Sequence, residues 1–289
     1  MGFNTKRCII CNPKNDTVYW HEDEHTGAIW CWCNKCGRGY SVQDYCATAG
    51  VSLKEFLKND FKLETSAPNE VQALSWPNQF IPMYDPRAKK GVDYIKSRGL
   101  DLDDGMYYDL VREGIVFPYY YSSTFCGAQI RFLEPKLDED GKPQKITTLP
   151  GTKLGLLAYN FSQDPFRTNI KGVIVCEGAF NALSLQQALN EQFGGVLNNP
   201  FRAIALSGAG VSQHHIEMLK DLKDQGFKVI CASDTDSKGM MMILKLKEHD
   251  AVTHYAFTGD DELDWNDLLQ KSNKKSLAKL FLGSIRIVK

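Results

Sequence analysis

From residue 171 onward, the sequence alternates short apolar runs with amphipathic segments. The apolar runs are rich in Val, Ile and Ala, and the segments between them repeat their apolar residues with the period of a helix. The predicted strands and helices follow one another in the order KGVIVC, AFNALSLQQAL, FRAIAL, QHHIEMLKDLKDQ, FKVICAS, GMMMILKLKEH and AVTHYAF. Strands that alternate with helices predict a parallel sheet covered by helices, so this half of the chain is limited to an α/β fold.

Three carboxylates follow the predicted strands at the points where two of them end. Glu177 follows the first strand, and Asp234 and Asp236 follow the third in the stretch VICASDTDSKG. The carboxyl ends of parallel strands meet at one edge of a sheet, where ligands bind. Carboxylates gathered there repel one another unless a cation lies between them, and hard oxygen ligands suit Mg²⁺ or Mn²⁺. The sequence therefore predicts a divalent metal site formed by these three residues.

A further acidic stretch, GDDELDWNDLL at residues 259–269, follows the last predicted strand. Asp264 or Asp260 can reach the same edge of the sheet and hold a second metal ion. Asp267 is predicted to cap the helix that follows. The alternative is that all of these residues are surface charges. We take Asp264 forward as an additional Mg²⁺ ligand.

Two Cys-x-x-Cys pairs near the amino terminus predict a zinc site. Cys8 and Cys11 form the first pair and Cys33 and Cys36 the second, with 21 residues between the pairs. Each pair provides two thiolates from a tight turn, and the alternating segment between them predicts a hairpin that brings the turns together around a tetrahedral ion. A segment this short has too little apolar mass to fold without such a ligand. Cys31 lies beside the second pair, and its role stays open.

Composition limits where the chain acts and what it binds. The formal net charge of −1 argues against a uniformly basic nucleic-acid coat and leaves room for local basic patches. No stretch approaches the roughly 18 apolar residues of a membrane helix, and the amino terminus lacks the apolar region of a secretory signal. The nine cysteines fit metal ligands or free thiols better than a disulfide framework. We therefore predict a cytoplasmic protein without a membrane partner.

The order of motifs in the second half is similar to that of a known family. CEGAFNALSL, ALSGAG, CASDTDSKG and DWNDLL follow one another as in a TOPRIM domain, the metal-binding fold of bacterial-type primases, topoisomerases, some nucleases and recombination mediators. With RCIICN and CWCNKCGRGY ahead of them, the whole chain resembles a bacteriophage-type DNA primase without a fused helicase. The resemblance implies an α/β fold with a small all-cysteine zinc ribbon, an α+β basic subdomain and a TOPRIM domain whose central parallel sheet is flanked by helices.

The middle of the chain resembles the polymerase part of the same family. VDYIKSRGLDLD is similar to its short helix with an Arg-Gly ending, and GIVFPYYYSSTFCGAQIRFLEP to its hairpin that opens on Phe-Pro and closes on an arginine. The resemblance implies that Arg131, Lys145 and Lys153 bind nucleotide or template phosphates. The chain departs from the family around its paired aspartates, where Ser233 precedes them and Lys238 follows. Lys238 either contacts a triphosphate or offsets the acidic charge.

The activity that the resemblance implies is template-directed synthesis of short RNA primers from ribonucleoside triphosphates on single-stranded DNA. The three carboxylates at the strand ends are the implied catalytic metal ligands, and the zinc ion is structural. In the zinc ribbon, Trp32 is expected to stack on unpaired bases, and Lys35 and Arg38 are expected to contact phosphates or base edges. The implied partners are the DNA template, the nucleotides, the RNA primer, a replicative helicase and a DNA polymerase, in the cytoplasm of the host cell if a phage encodes the chain.

The predicted organisation has three parts. Residues 1–58 form the zinc-ribbon, template-recognition domain, residues 59–80 form a linker of mixed polarity with two prolines, and residues 81–289 form the polymerase domain. The polymerase domain divides into a basic subdomain, a TOPRIM subdomain and a carboxyl-terminal element, at residues 81–170, 171–270 and 271–289.

Two other functions use the same features. A metal-dependent TOPRIM nuclease needs only the carboxylates, and a recombination mediator that combines a zinc site with a TOPRIM domain binds DNA without catalysis. The basic segment and the ribbon disfavour the nuclease. The presence of all three strand-end carboxylates disfavours the mediator. The preferred hypothesis from the sequence is therefore a primase.

Overall fold

The computed structural model describes most of the chain beyond residue 70 and short segments before it. The described residues are 18–22, 29–33, 39–49, 71–102, 105–121, 123–138, 140–161, 169–207 and 210–288. Contacts between Cα atoms divide the chain into two compact units, Met1–Glu70 and Val71–Lys289. In the parts of the chain that the structure describes, no helix is both long and apolar enough to cross a membrane.

The first unit contains a small antiparallel sheet followed by a helix. The sheet consists of β1 (Val18–Glu22), β2 (Ile29–Cys33) and β3 (Gly39–Ser41), and α1 (Val42–Ala49) follows directly. The predicted hairpin is present, because β1 and β2 pair with Val18 opposite Cys33. Cys31 and Cys33 are buried in β2. The other predicted zinc ligands and two predicted DNA contacts lie outside the described residues: Cys8, Cys11, Cys36, Lys35 and Arg38.

The second unit begins with residues 71–79, which pack on an antiparallel sheet. The Leu74 amide donates to the Phe125 carbonyl at 2.9 Å. The Trp76 ring lies edge-on to Tyr107 and Phe125, with centroid separations of 4.6 and 4.8 Å. The second half of the predicted linker is therefore held against the antiparallel sheet by aromatic contacts.

The antiparallel sheet has the strand order β4-β5-β6-β7-β8. Its longest strands, β6 and β7, are the two arms of the hairpin that sequence analysis identified, and a helix, α2, crosses over between β4 and β5. The bounds are β4 Phe80–Pro82, α2 Lys89–Ser97, β5 Tyr107–Asp109, β6 Gly114–Tyr121, β7 Thr124–Leu137 and β8 Pro143–Thr148.

The predicted alternation of strands and helices is confirmed in the remainder of the chain. Four parallel strands and one short antiparallel edge strand form a sheet in the order β10-β9-β11-β12-β13. Its elements in chain order are β9 Gly172–Cys176, α3 Ala179–Gln192, β10 Phe201–Ala205, α4 Gln213–Asp224, β11 Lys228–Ser233, α5 Ser237–Glu248, β12 His254–Phe257, α6 Trp265–Lys271, α7 Lys274–Ser284 and β13 Arg286–Ile287.

Both faces of the parallel sheet are covered, which explains why its central strands are apolar throughout. On one face, Ile174 and Ile230 belong to a core that also contains residues of α3, α7 and the antiparallel sheet. On the other face, Val173 and Val229 pack with residues of α4 and α5. The first core joins the two sheets, so the carboxyl edge of the parallel sheet lies beside the β6–β7 hairpin within one packed body.

Candidate active site

The carboxyl ends of β9 and β11 bring the predicted metal ligands to one edge. These strands are neighbours in the parallel sheet, with Cys231 opposite Val175, so Glu177 and Asp234 each follow the end of an adjacent strand. The next strand, β10, ends beside them, and the Ser207 amide donates to the Glu177 carbonyl at 3.0 Å. Parallel topology therefore brings side chains that are far apart in the sequence to one edge of the sheet.

The helices α3, α5 and α6 begin at this same edge, and two of them are capped by the acidic residues. Asp236 caps α5 by accepting the Gly239 amide at 2.8 Å. Asp264 caps α6 by accepting the Asp267 amide at 2.8 Å. The third helix, α3, begins directly after Gly178. Helix amino termini carry partial positive charge, so all three starts favour anions at this edge.

The cap of α6 corrects one sequence prediction. Asp267 was expected to cap this helix, but Asp264 is the cap, and Asp267 lies three residues further on, where its side chain accepts from the Asp264 amide at 3.5 Å. The two residues form a reciprocal capping box, in which either acidic side chain is suited to the first position by sequence alone. Asp264 nevertheless lies at the sheet edge, where it lines a pocket together with Glu177.

Burial and mutual repulsion perturb the carboxylates. Burial raises the pKa of Asp234 to about 7, with further contributions from the negative charges of Asp264, Glu177 and Asp236. Burial also raises the pKa of Glu177, and the charge of Asp236 adds to this effect while Lys238 opposes it. The pKa of Asp264 is raised by burial as well. Neighbouring negative charge therefore adds to the effect of burial on the pKa of Asp234 and of Glu177, as expected for acidic side chains that lie near one another.

This donor set fits a hard divalent cation. A carboxylate-only cluster with raised pKa values gains most from a cation that neutralises it, and Mg²⁺ and Mn²⁺ prefer oxygen ligands. As the side chains are placed, no group of three or more His, Cys, Asp or Glu residues within the described ranges is arranged to hold a metal ion. Glu177, Asp234, Asp236 and Asp264 provide the carboxylate oxygens at this edge, so they are the side chains that would hold such an ion.

Two further residues lie against Asp234, and neither was among the residues predicted from the sequence. The buried Asn181 carboxamide donates to Asp234 Oδ1 at 3.2 Å. Gly239 in the first turn of α5 lies so close to the end of β11 that an added Cβ atom would fall well under 3.0 Å from the Asp234 carbonyl oxygen. The sequence signal for this close approach was the glycine three residues after Asp236, since a glycine lets two backbone segments lie close together.

A pocket joins the sheet edge to the antiparallel sheet and α2. From the parallel sheet it is lined by Glu177, Asn181 and Asp264, and from the other elements by Arg98 and Arg131. Phe117, Phe180 and Ile146 contribute apolar surface. Carboxylates and two guanidinium groups thus border one cavity, which suits a metal-bound polyphosphate better than a neutral ligand.

Arg98 was not among the predicted site residues. It directly follows α2, its guanidinium donates to Asn266 Oδ1 at 3.0 Å and to the Tyr94 hydroxyl at 3.1 Å, and it lies 5.2 Å from the centroid of the Phe180 ring. These contacts hold the charge at the pocket in a defined direction. The Arg-Gly ending of the predicted helix was the sequence signal, but its partner Asn266 is 168 residues away.

The predicted basic residues separate into two groups. Arg131 lines the pocket, whereas Lys145 is exposed on β8 and Lys153 is half-buried ahead of the turn Leu154–Leu156, and neither lines it. Lys238 lines a different cleft, which shares Glu177 and is bordered by residues of α5. Trp32 lies in β2. Arg131 and Lys238 therefore line two different pockets that share Glu177. We call the carboxyl edge of the parallel sheet, with Glu177, Asp234, Asp236 and Asp264, the acidic edge.

Comparisons with known proteins identify the fold. Residues 174–269 match the family model described as Toprim-like. The solved structure of the DnaG primase catalytic domain bound to single-stranded DNA superposes with a TM-score of 0.50 and 18% identity, over 72% of this chain and 75% of that one. The E. coli primase catalytic core gives a TM-score of 0.48 and 19% identity, over 71% and 76%. No curated protein matches the chain in a sequence search. The chain therefore contains a Toprim-like domain and has the fold of a bacterial-type primase catalytic core.

Proposed function

We propose that the protein is a DNA primase that synthesises short RNA primers on single-stranded DNA from ribonucleoside triphosphates. The observation that carries the proposal is the pocket in which Glu177 and Asp264 lie together with Arg98 and Arg131. A nucleotidyl transferase needs both features, because metal ions must be held next to groups that bind phosphates. The fold shared with a primase domain whose structure contains single-stranded DNA supports the same reading.

We assign the acidic side chains at this site to metal binding during nucleotide addition. In the reaction, the 3′-hydroxyl of one nucleotide attacks the α-phosphate of the next, and pyrophosphate leaves. Glu177, Asp234 and Asp236 are the proposed catalytic metal ligands, and Asp264 is an additional ligand. Mg²⁺ or Mn²⁺ bound there supplies a lowered pKa for the attacking hydroxyl and neutralises charge on the phosphoryl oxygens.

The cations and the carboxylates orient the substrate. Arg98 and Arg131 bind phosphate oxygens by charge-assisted hydrogen bonds, and the planar guanidinium groups set the direction of the triphosphate. Lys238, on the other side of Glu177, binds phosphate or offsets acidic charge. Lys145 and Lys153, further from the pocket, contact template phosphates. Positioning of this kind is most of the catalysis in phosphoryl transfer.

The amino-terminal unit selects the template in this proposal. Cys8, Cys11, Cys33 and Cys36 hold a structural zinc ion, and Cys33 is buried at the end of β2. The proposed DNA contacts are Trp32, Lys35 and Arg38. A replicative helicase delivers the single-stranded template, and a DNA polymerase extends the RNA primer. We place the reaction in the cytoplasm, which is that of the host cell if a phage encodes the protein.

Primer synthesis on single-stranded templates tests the proposal. The protein, Asp234→Ala and Asp224→Ala are incubated with Mg²⁺ or Mn²⁺, labelled ribonucleotides and templates of varied sequence. Asp224 is an exposed acid at the far end of α4 and serves as the matched control. Short RNA products that need particular template triplets, persist in Asp224→Ala and vanish in Asp234→Ala support the proposal. Degradation of the template in place of synthesis supports the nuclease, and DNA binding without either reaction supports the mediator.

A further inference from the structure

Asn266, at the second position of α6, has its hydrogen-bonding groups occupied although it is fully buried. Its side-chain Nδ2 donates to Ser184 Oγ at 2.9 Å and to the Arg98 carbonyl at 3.0 Å. Its Oδ1 accepts from Arg98 Nη1 at 3.0 Å. The carboxamide therefore binds both the backbone and the guanidinium of Arg98, the residue that follows α2. This requires a group that both donates and accepts hydrogen bonds.

The backbone of Asn266 extends the same set of contacts to the acidic edge. Its amide, one of the donors that a helix start leaves without an intrahelical partner, donates to Asn181 Oδ1 at 3.2 Å. Asn181 Nδ2 in turn donates to Asp234 Oδ1 at 3.2 Å. Arg98, Asn266, Asn181 and Asp234 therefore form one continuous chain of hydrogen bonds, which we call the amide bridge.

The amide bridge joins the two kinds of charge at the pocket through neutral groups. Arg98 and Asn181 line the pocket, whereas Asn266 does not. Without Asn266, the guanidinium has a competing partner, because Asp267 Oδ1 lies 4.0 Å from Arg98 Nη1. A carboxylate at position 266 or 181 could accept but not donate, and it would add negative charge to an edge that already holds several acidic side chains.

We propose that Asn181 and Asn266 are positioning residues: Asn181 fixes the orientation of the metal ligand Asp234, and Asn266 fixes the direction of Arg98 toward the phosphates of the bound nucleotide. This deepens the proposed function and rests on it for the identity of the ligand. Because the link between the two asparagines uses the backbone of Asn266, each side chain acts on one partner. Asn181 acts on the metal ligand, and Asn266 acts on the cation.

The two asparagine variants are therefore expected to have different binding defects. Asn181→Ala weakens binding of Mn²⁺ about tenfold, because Asp234 loses the donor that fixes its carboxylate. Asn266→Ala raises the dissociation constant for a fluorescent ATP analogue about tenfold and leaves Mn²⁺ binding within twofold of that of the unaltered protein. The matched control is Asn199→Ala. Asn199 is also buried and hydrogen-bonded, to Asn190 and to the Phe201 amide, but it precedes β10 at the opposite edge of the sheet.

Equilibrium titrations of the full chain measure both constants without primer synthesis. Mn²⁺ binding is followed by calorimetry, and nucleotide binding by fluorescence with Mg²⁺ present. Unchanged constants in both asparagine variants, together with a loss of thermal stability like that of Asn199→Ala, would overturn the proposal, since they would show a structural role only. If Asn181→Ala does not fold, Asn181→Ser takes its place, since the shorter hydroxyl cannot span the same distance and the same weakening is expected.

The failure of the proposed function would look different. If the unaltered protein binds Mn²⁺ but neither nucleotide nor template, the primase assignment fails, while the Mn²⁺ titration of Asn181→Ala still decides the positioning role. A double variant tests whether Asn181 acts through Asp234. Combining Asn181→Ala with Asp234→Ala weakens Mn²⁺ binding no further than Asp234→Ala alone if Asn181 acts through Asp234, whereas additive losses would contradict that route.

Discussion

Gly239 gives the most direct test of how the acidic edge is built. It lies in the first turn of α5, and its amide binds the cap residue Asp236. A Cβ at this position would overlap the Asp234 carbonyl oxygen and the Ser233 hydroxyl, and it would lie 3.1 Å from the Asp234 carbonyl carbon. The hydroxyl can rotate, but the carbonyl belongs to the backbone. Gly239→Ala therefore has to move either the start of α5 or the segment that carries Asp234.

The size of the effect follows from the overlap. Relief to an ordinary contact of about 3.5 Å requires a displacement on the order of 1 Å. Overpacking of this kind costs about 1–3 kcal/mol of the free energy of unfolding. A displacement of about 1 Å at a catalytic ligand lowers the rate about 100-fold. We expect both losses in Gly239→Ala, with the loss of rate exceeding what a smaller folded fraction explains.

Gly283→Ala is the matched control, because it lies in α7, where an added Cβ meets no atom within 4 Å. Alanine is a better helix former than glycine, so this variant is expected to be as stable as the unaltered protein or more stable by up to about 1 kcal/mol. Urea unfolding measures both stabilities, and Mn²⁺ titration and primer synthesis measure the site. If Gly239→Ala matches the unaltered protein in stability, Mn²⁺ affinity and rate, then the close approach of α5 to Asp234 is not what the site depends on.

Three other perturbations test separate parts of the structure. In metal-free protein with chelator, Asp234→Asn is expected to raise the free energy of unfolding above pH 7 by about 2 kcal/mol. The pKa of Asp234 rises from 3.8 to about 7 on folding, which corresponds to a destabilisation of about 4 kcal/mol. We halve this value because the carboxyl group is partly exposed to solvent. The gain shrinks as pH falls below 7 and is absent below the unfolded-state pKa, where the carboxyl is protonated in both states; urea unfolding at pH 8 and pH 3 measures it, and equal gains would contradict it. Arg98→Lys raises the nucleotide dissociation constant about tenfold although the charge is kept, because a lysine cannot reproduce the planar contacts with Asn266 and Phe180; a fluorescence titration with no change would contradict it. Asp109→Ala is expected to lower the free energy of unfolding by about 3 kcal/mol without changing Mn²⁺ binding. The reason is that the fully buried Asp109 carboxylate accepts hydrogen bonds from the Val111 and Arg112 amides and from the Arg112 side chain. Calorimetric unfolding measures this loss, and a loss under about 1 kcal/mol would contradict the prediction.

Sequence patterns predicted the parallel sheet well because its signal is local. Each strand is a short apolar run and each helix an amphipathic one, and their alternation allows few topologies. The placement of Glu177 and Asp234 at one edge of the sheet followed from that topology, since parallel strands end at one edge. The relation between the parallel sheet and the β6–β7 hairpin did not follow, because it depends on a shared core whose contacts join residues far apart in the chain.

The contacts of Arg98, Asn181 and Asn266 were missed for the same reason, because they join residues far apart in the chain. Asparagine side chains are mostly exposed to solvent, and the residues around Asn181 and Asn266 in the sequence do not indicate that these two are buried. The distribution of Asp264 and Asp267 between the two positions of a capping box was also undetermined, because aspartate suits both. The partners of the buried amides and the cap of α6 depend on single hydrogen bonds, whereas the fold could be predicted from hydrophobic periodicity.

The acidic edge is built at a cost that the surrounding fold offsets only in part. Burial is the first cause of the raised pKa values of Glu177, Asp234 and Asp264, and repulsion among the carboxylates adds to it. The starts of α3, α5 and α6 and the charge of Lys238 act in the opposite direction. A protein selected only for stability would replace these acids by neutral residues. The cation and the polyphosphate of the proposed function would complete the charge balance at this edge, beside the two arginines, when they bind.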